Sequence, residues 1–373
     1  MSLSRRITSS VAAAALALPT VAVAVPAAAT PPISFVDRGW PGQSSGQPFG
    51  GQSYGGQYGA TYGRTASIDA TDATTEQSVG IVQISTVVDF DAGEAAGTGI
   101  VLDATADGGG ALVVTNHHVV EGATNIEVTD PVTGETATAE VLGFDAVKDV
   151  AVLRVDSTSL SAVDTDTAGV DVGDAVVAVG DAGGDGGSLT AAAGTVTALR
   201  QRIDVTEDDG SVATLRRLIE VDSDIIPGDS GGALLAADGD VVGMNVAASS
   251  GSIGIDGYVI PMRRVLTVVD AVLAGDAGGT VTLGYSAFLG VGLSTSGGAA
   301  TIGNVVAGSP AADAGLAAGD TVTALDGTAV TSPARLRRLV RRHQPGEQVD
   351  VTWRDTAGTS HSATVGLDRA PVA

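Results

Sequence analysis

The sequence contains no cysteine in 373 residues. Disulfides, cysteine nucleophiles and thiolate metal sites are therefore excluded together. Histidine is almost as scarce: four are present, and no two of them have the HExxH spacing of a zinc protease. A histidine that acts as a general base must be His117, His118, His343 or His361. We expect no metal and no organic cofactor.

Aromatic and basic residues are also few. Aromatics make up 3% of the chain, whereas the 52 glycines and the many Val, Thr and Asp residues favour short strands and turns. Lys and Arg number 19 against 43 Asp and Glu, which gives a formal charge of −24. Such a chain repels phosphates, so nucleic acid is not expected as a partner. The length and the 44% of apolar residues suffice for two globular domains.

The first 29 residues have the pattern of an export signal. Arg5 and Arg6 form a charged head, an apolar run follows over 11–25, and three alanines at 27–29 offer a cleavage site. The alternative is an uncleaved membrane anchor, since the run is nearly long enough to span a bilayer. We expect a cleaved signal, and hence a secreted or cell-envelope protein. Residues 30–75, rich in Gly, Gln, Ser and Pro, are predicted to be a flexible tether.

From about Glu76 the sequence changes to short apolar runs such as VGIVQISTVV, ALVVTN, VAVLRV and AVVAVG, separated by glycine and aspartate. This pattern predicts a mainly β domain over 76–275, an antiparallel barrel or sandwich. A second unit, 280–370, combines strands with one amphipathic helix in SPARLRRLVRRHQPG.

The stretch DSDIIPGDSGGALL, residues 222–235, places Ser230 between glycine pairs, as expected of an exposed nucleophile. A serine needs a histidine to accept its proton and a buried acid to orient that histidine. The histidines of VVTNHHVVEGA are the candidate bases, and Asp149 immediately precedes the strand VAVLRV. The order histidine, aspartate, serine is that of a chymotrypsin-type triad. Spacing does not choose between His117 and His118.

The glycines beside the serine are interpreted mechanically. Gly228 allows its N–H, with that of Ser230, to turn toward a developing oxyanion. Gly231 and Gly232 are expected to permit close approach of a substrate. The similar string GDAGGDGGS at 180–188 is interpreted as a plain loop.

TNHHVV, KDVAVL and PGDSGG…VVGMN together resemble the HtrA (DegP-like) family of exported serine proteases. The segments AAGTGIVLD and AFLGVGL make the resemblance closest to actinobacterial PepA-type secreted members. The resemblance covers roughly 76–370 and implies a chymotrypsin-like double β-barrel followed by a PDZ domain. In the family pattern T-N-x-H the fourth residue is catalytic, which implies His118 as base, Asp149 as orienting acid and Ser230 as nucleophile. Gly228 and Ser230 match the amides of the oxyanion hole.

The resemblance also implies a peptide-binding site in the second unit. Phe288, Leu289, Gly290 and Val291 match the carboxylate-binding loop, whose backbone N–H groups hold a peptide C-terminus beside an open strand edge. The predicted helix carries five arginines: Arg335, Arg337, Arg338, Arg341 and Arg342. Two interpretations stay open, a solvated helix face and a positive rim that favours acidic peptides.

Asp224, six residues before the serine, stands where chymotrypsin-like folds have the base of the primary specificity pocket. Ile225, with Ala248 and Ser249 on the facing strand, is expected to line that pocket. Asp224 is either a selector of basic side chains, as in trypsin-like enzymes, or a loop acid turned to solvent.

Asp229 stands where many family members carry asparagine. Its carboxylate is either satisfied by amides of its own loop or paired with a new N-terminus, for example one made by cleavage after Arg64.

The sequence thus predicts an exported, ATP-independent serine endopeptidase. By resemblance, its substrates are unfolded or damaged proteins of the envelope or medium, and its PDZ domain binds peptide C-termini. The alternative is a peptide-binding, chaperone-like envelope protein with weak or latent protease activity. The sequence does not decide whether the chain forms a homo-oligomer.

Overall fold

The computed structural model describes residues 70–88, 93–105, 109–157, 159–206, 212–246, 257–294 and 298–372. The predicted export signal, most of the predicted tether, and Ala248 and Ser249 lie outside the described residues.

The elements of the first barrel and its approach are, in chain order, β1 (Thr71–Asp72), α1 (Thr75–Ser78), β2 (Ile81–Val88), β3 (Gly93–Asp103), β4 (Ala111–Thr115), α2 (His117–Val120), β5 (Ala123–Thr129), β6 (Thr136–Asp145) and β7 (Val150–Val155). Six of these strands pair antiparallel in the order β6-β5-β2-β3-β4-β7, and the pairing of β6 with β7 closes the barrel. Alternation along the strands fills it: Val82 and Ile84 of β2 belong to the interior cluster with Leu153 of β7.

The second barrel consists of β8 (Ala175–Gly180), β9 (Thr190–Thr206), β10 (Val212–Val221), β11 (Ala233–Leu235), β12 (Val241–Val246) and β13 (Gly257–Pro261), and α3 (Met262–Leu273) follows it. Its strands pair in the order β9-β10-β13-β12-β11-β8, and β8 closes on β9. The outward faces of both barrels are also apolar: Ile81 and Ile100 share a cluster with Val179 and Met244. The amphipathic helix α3 lies against strands of both barrels and belongs to the same cluster.

The remaining elements are β14 (Val281–Leu283), β15 (Ala287–Phe288), β16 (Val291–Leu293), β17 (Ala300–Val305), α4 (Pro310–Asp313), β18 (Thr321–Leu325), β19 (Thr328–Ala329), α5 (Pro333–Val340), β20 (Gln348–Arg354), β21 (Ser360–Gly366) and β22 (Asp368–Arg369). Strands β16-β17-β18-β20-β21 form one sheet with β19 beside β18, and β15 pairs with β22. A separate apolar cluster, which includes Leu289, Leu336 and Trp353, forms the core of this unit. The predicted double barrel followed by a smaller β-rich domain is confirmed.

Three details differ from the sequence interpretation. β1 pairs with β9, and Thr74 caps α1 with a reciprocal bond to Gln77, so the last residues of the expected tether are already folded. β14 pairs with β6, so this strand of the second unit extends the sheet of the first barrel. The helix α5 ends at Val340 with Arg341 as its C-cap, so only the first part of the predicted helical stretch is helical.

The segment after β22 returns to the first barrel. Val372 is 5% exposed and packs in the interior cluster of that barrel. Its carbonyl accepts a hydrogen bond from the Gly122 N–H (2.7 Å), and its own N–H donates to Ala123 O (3.2 Å). The chain therefore touches the first barrel just beyond α2, the helix that carries the candidate histidines.

Candidate active site

A half-buried His118 and a buried Asp149 form a pair at one end of the first barrel. Asp149 directly precedes β7 in a left-handed conformation (φ 56°), which turns its side chain toward α2. His118 Nδ1 lies 2.9 Å from Asp149 Oδ2 and 3.1 Å from Oδ1, and the His118 backbone N–H also donates to Oδ1 (3.1 Å). Asn116 donates from Nδ2 to the Asp149 carbonyl (3.0 Å), which fixes the backbone of the acid. Because Nδ1 faces the carboxylate, Nε2 is directed away from it.

The Asp149 carboxylate is held in its ionised form. Burial opposes ionisation of Asp149, whose side chain is 8% exposed. The charge of His118 and hydrogen bonds from its ring and backbone outweigh this effect and lower the pKa of Asp149 below its usual value. An ionised acid at this position favours the His118 tautomer that carries hydrogen on Nδ1, and it stabilises the imidazolium when the ring accepts a proton.

The other histidines have different surroundings. His117 is 5% exposed and stacks on Phe144, with ring centroids 4.6 Å apart. His343 Nδ1 lies 2.8 Å from a Glu347 oxygen, and His361 Nε2 lies 2.9 Å from an Asp355 oxygen, both in the C-terminal unit. Of the four histidines, His118 is the one bound to Asp149 through its ring.

Ser230 lies in a loop, residues 226–232, that we call the nucleophile loop. Ser230 is 4% exposed, and a side chain on Gly97 of β3 would meet both the Ser230 carbonyl and Val119 of α2. The loop and the histidine helix therefore pack on the same glycine, where a side chain would clash with Val119. This packing places Ser230 at the boundary between the two barrels, on the side of α2.

Two peptide planes of the nucleophile loop carry the expected oxyanion donors. The carbonyl of Pro227 accepts from the Gly183 N–H (2.8 Å), and the carbonyl of Asp229 accepts from the Gly232 N–H (2.9 Å). In a trans peptide the N–H points opposite to the carbonyl, so these bonds orient the N–H groups of Gly228 and Ser230. Gly228 has φ 99°, a conformation that favours glycine, as the sequence interpretation required.

The other two glycines have a different purpose from the expected one. A side chain at Gly231 would clash with Thr98 O and Thr115 Oγ1, and one at Gly232 would clash with Val179 O. These glycines allow the loop to approach the protein's own strands, so their proposed role in admitting substrate is corrected. The string at 180–188 is likewise more than a plain loop, because a side chain at Gly228 would clash with the Asp181 carbonyl.

Asp229 is buried within the nucleophile loop, at 5% exposure. Its Oδ2 accepts from the Ile226 N–H (2.9 Å), whereas Oδ1 has no hydrogen-bond partner among the described residues. Burial raises the pKa of Asp229 to about 7, against the lowering effect of the Ile226 amide and with a further rise from the charge of Asp181. Burial also raises the pKa of Asp181.

The residues expected to line a substrate pocket are only partly described. Asp224 is half-buried, and Ile225 is 2% exposed within the core of the second barrel, beside Gly257. Ala248 and Ser249 lie outside the described residues, so the pocket stays a prediction.

The expected peptide-binding loop of the C-terminal unit connects β15 to β16. Leu289 is buried in the core of the unit, and Gly290 has φ 87°, where a side chain would clash with Ser309. The carbonyl of Leu289 accepts from Ala311 N–H (2.9 Å) and that of Gly290 from Val306 N–H (3.0 Å). Because the N–H of a trans peptide points opposite to its carbonyl, the N–H groups of Gly290 and Val291 are directed away from Ala311 and Val306. Val291 begins β16, the edge strand of its sheet.

The five arginines of the predicted helix, three in α5 and Arg341 and Arg342 just after it, are exposed apart from the half-buried Arg335. Ala334, Arg337, Arg338 and Arg341 line a shallow pocket on the helix. None of the ion pairs found in the described part of the chain involves these arginines. The face is thus uncompensated positive charge in a strongly acidic chain.

Two closed six-stranded barrels, with a His–Asp pair and a Gly-Asp-Ser-Gly-Gly loop between them, define a trypsin-like serine protease. The family model for a trypsin-like peptidase domain matches residues 97–244, and that for a PDZ domain matches residues 287–360. Serine protease Do-like HtrA of Lactococcus lactis subsp. cremoris is 32% identical over 283 residues, which cover 70% of this chain and 69% of that protein. The chain belongs to the HtrA family of serine proteases and is a serine endopeptidase with a PDZ domain.

Two further relatives agree with this assignment. Serine protease PepD of Mycobacterium tuberculosis is 30% identical over 297 residues, 74% of this chain and 61% of that protein. A probable periplasmic serine endoprotease, DegP-like, of Chlamydia muridarum is 35% identical over 264 residues, 68% of this chain and 50% of that protein. The likeness to PepD supports the expected actinobacterial subtype only loosely.

The sequence interpretation missed one residue that the structure places at the site. Thr98 of β3 is fully buried and contacts the nucleophile loop through both its backbone and its side chain. It stands inside the quoted AAGTGIVLD, but nothing in the spacing of that segment relates it to a loop 130 residues later.

Proposed function

We propose that the chain is an exported, ATP-independent endopeptidase that hydrolyses unfolded or damaged proteins with a His118–Asp149–Ser230 triad. The observation that carries the proposal is the His118–Asp149 contact of 2.9 Å on the same side of the barrels as the nucleophile loop. The positive φ of Gly228 and the held carbonyls of Pro227 and Asp229 support an oxyanion hole formed by the N–H groups of Gly228 and Ser230.

The proposed reaction is acyl transfer in two halves. His118 Nε2 accepts the proton of the Ser230 hydroxyl as its oxygen attacks the scissile carbonyl, and the N–H groups of Gly228 and Ser230 stabilise the oxyanion. The imidazolium, stabilised by Asp149, then gives the proton to the leaving amine. Water repeats the sequence on the acyl-enzyme and releases the acid.

The proposed organisation is a signal peptide at 1–29, a tether from 30, a protease domain over 76–275 and a PDZ domain over 280–370. Export is supported by the N-terminal sequence pattern and by the periplasmic location in the name of the Chlamydia relative. No helix in the described ranges is long and apolar enough to cross a membrane. A preference for the residue before the cut, set by Asp224, Ile225, Ala248 and Ser249, stays part of the proposal.

Replacing the two adjacent histidines one at a time tests the proposed triad. His118→Ala is expected to lower kcat/KM for casein about 10⁴-fold or more, because the general base is lost. His117→Ala removes the stack on Phe144 and should lower the melting temperature, but it is expected to keep most of kcat. The measurement is casein hydrolysis at 25 °C with a thermal melt of each variant.

Wild-type protein provides the reference in the same assay. If His117→Ala is the inactive variant while still folded, the catalytic histidine has been assigned one position too late. If neither wild type nor variants cleave unfolded casein, the chaperone-like alternative replaces the proposed function.

The PDZ domain is proposed to bind peptide C-termini at Phe288, Leu289, Gly290 and Val291, beside the open edge of β16. This arrangement is strand addition: backbone N–H groups bind the carboxylate and the peptide extends the sheet. The uncompensated arginines of α5 then favour peptides with acidic residues near the C-terminus.

We expect an acidic peptide to bind the PDZ domain several-fold more tightly than its neutral analogue at 20 mM salt, and the preference to shrink at 300 mM. The reason is screening, since the Debye length is about 10 Å at 0.1 M and shorter above it. Arg338→Glu with Arg341→Glu should abolish the preference, whereas Arg342→Glu, outside the pocket, should reduce it less. Fluorescence anisotropy measures the affinity of wild type and of both variants for the two peptides at each salt concentration. Affinity that is independent of salt and peptide charge would identify the arginines as a solvated helix face.

A further inference from the structure

Thr98 makes four hydrogen bonds, two of which connect the first barrel to the nucleophile loop. It is fully buried, and β3 fixes its backbone by pairing Thr98 with Gln83 of β2. Its N–H donates to the Ser230 carbonyl (2.8 Å), and its own carbonyl accepts from Thr115 Oγ1 (2.7 Å). Its hydroxyl donates to the Gly228 carbonyl (2.8 Å) and accepts from the Asp181 N–H (2.9 Å). The hydroxyl is therefore used in both directions.

Two of these bonds, those to the Gly228 and Ser230 carbonyls, hold further peptide planes of the nucleophile loop. The planes after Pro227 and after Asp229 are held by Gly183 and Gly232, as described above. The carbonyl of the plane after Gly228 accepts from the Thr98 hydroxyl. The plane after Ser230 is bonded at both edges, by the Thr98 N–H at its carbonyl and by the Asn245 carbonyl at the Gly231 N–H (3.0 Å). Rotation of the Gly228 plane would turn the following Asp229 N–H away from Ile226 O, to which it donates (3.0 Å). The plane after Gly228 lies between the two planes that carry the Gly228 and Ser230 N–H groups, so the bond from the Thr98 hydroxyl constrains the backbone that connects the two oxyanion donors.

The same hydroxyl anchors the loop 180–188, which we call the supporting loop. The Asp181 carbonyl accepts from the Gly184 N–H (2.8 Å), and that turn brings the Gly183 N–H to the Pro227 carbonyl. The Asp181 N–H donates to Thr98 Oγ1, and the same hydroxyl donates to the Gly228 carbonyl. One oxygen atom therefore binds both the supporting loop, which orients the Gly228 N–H, and the Gly228 carbonyl. Loss of that oxygen would remove the partner of the half-buried Gly228 carbonyl and of the buried Asp181 N–H.

We propose that the Thr98 hydroxyl is a positioning group for the oxyanion hole, which keeps the N–H groups of Gly228 and Ser230 aimed at the reacting carbonyl oxygen. This inference rests on the proposed function, because it requires that Ser230 is the nucleophile. It goes further in assigning part of the reaction to a side chain of the first barrel that touches neither the substrate nor a triad side chain.

Thr98→Val and Thr98→Ser separate this role from packing. Valine keeps the shape and loses the oxygen, whereas serine keeps the oxygen. We expect Thr98→Val to lower kcat about 10- to 100-fold with KM changed less than about threefold, because a transition-state interaction is weakened. Thr98→Ser is expected to stay within about threefold of wild type in both constants. The substrate is a fluorogenic peptide cleaved by the full chain.

A peptide aldehyde and the alcohol of the same sequence give a readout that packing alone would not change. The aldehyde forms an adduct with the serine that places an oxyanion in the hole, and the alcohol does not. We expect Thr98→Val to lower the affinity for the aldehyde by about the same factor as kcat and to leave the affinity for the alcohol unchanged. The matched control is Thr86→Val, which also removes a buried strand hydroxyl bonded to a backbone carbonyl (Ala95 O, 3.3 Å).

The outcomes separate the two levels of the argument. If wild type is active and the kcat and aldehyde affinity of Thr98→Val match those of Thr86→Val, the positioning role is wrong and the triad stands. If Thr98→Val does not fold, Thr98→Ser provides the test. Because serine keeps the oxygen, an aldehyde affinity of Thr98→Ser lower than that of Thr86→Val would overturn the inference. If wild type neither cleaves the peptide nor binds the aldehyde more tightly than the alcohol, the proposed function fails and the inference fails with it.

Discussion

Ser230→Ala is expected to lower kcat/KM for casein by about 10⁴- to 10⁶-fold. The substitution removes the oxygen that forms the acyl bond, and no other residue of the site can replace it as a nucleophile within the proposed mechanism. The loop itself should keep its conformation, because the backbone bonds from Thr98 to Ser230 O and from Gly232 to Asp229 O do not involve the hydroxyl. We therefore expect the free energy of unfolding to change by about 1 kcal/mol or less.

The measurement is release of fluorescence from labelled casein, with the variant purified in parallel with wild type. Binding of a C-terminal peptide to the PDZ domain is the control, since Ser230 lies in the other domain and this affinity should not change. Equal cleavage by the two proteins would show that Ser230 is not the nucleophile, and the proposed triad would be abandoned.

Much of the protease fold follows from local patterns. Runs such as VAVLRV predict strands buried on both faces, and β7 has that environment because one face fills the first barrel and the other packs toward the second. The glycine at 228 was predictable from the chemistry, since an oxyanion loop requires an N–H in a conformation that other residues avoid. The choice of His118 over His117 needed the family pattern, and the structure adds a physical reason in the stack of His117 on Phe144.

Contacts between distant segments were not predictable from spacing. The supporting loop at 180–188 differs little in composition from any exposed glycine-rich turn, and its position under Gly228 depends on how β8 and β9 close the second barrel. The return of Val372 to the first barrel is likewise a tertiary contact. Thr98 is equally hard to predict from the sequence, because it is an ordinary strand residue whose hydroxyl finds its partners only when the two barrels pack together.

Asp229 is the residue where sequence reasoning left two opposite interpretations. One oxygen is bonded to the Ile226 N–H, but the other is buried without a partner among the described residues, and Asp181 adds negative charge nearby. The interpretation in which loop amides bind the carboxylate thus holds for one of its two oxygens. Burial and the Asp181 charge raise the pKa of Asp229 to about 7, so the carboxyl is largely neutral below that pH.

The raised pKa has a definite effect on stability. An unfolded aspartate has a pKa of about 3.9, so between that value and about 7 the folded protein binds more protons at Asp229 than the unfolded chain does. The free energy of unfolding contributed by this group is therefore greatest below about pH 4 and falls as the pH rises through 7. A new N-terminus bound to Asp229 would give the opposite sign, because a cation lowers the pKa of a carboxyl and makes its ionised form stabilising.

When the pH is raised from 5 to 8, the unfolding free energy of Asp229→Asn is accordingly expected to rise by about 2–3 kcal/mol relative to that of wild type. The comparison of two pH values matters because the new amide introduces buried N–H groups, whose cost does not vary with pH and cancels in the difference. Urea unfolding at both pH values measures the gain, and Asp238→Asn, at an exposed acid, should follow wild type. Curves for Asp229→Asn that run parallel to wild type would contradict the raised pKa. A relative loss of stability toward pH 8 would instead support a cationic partner such as a processed N-terminus, since asparagine cannot form that ion pair.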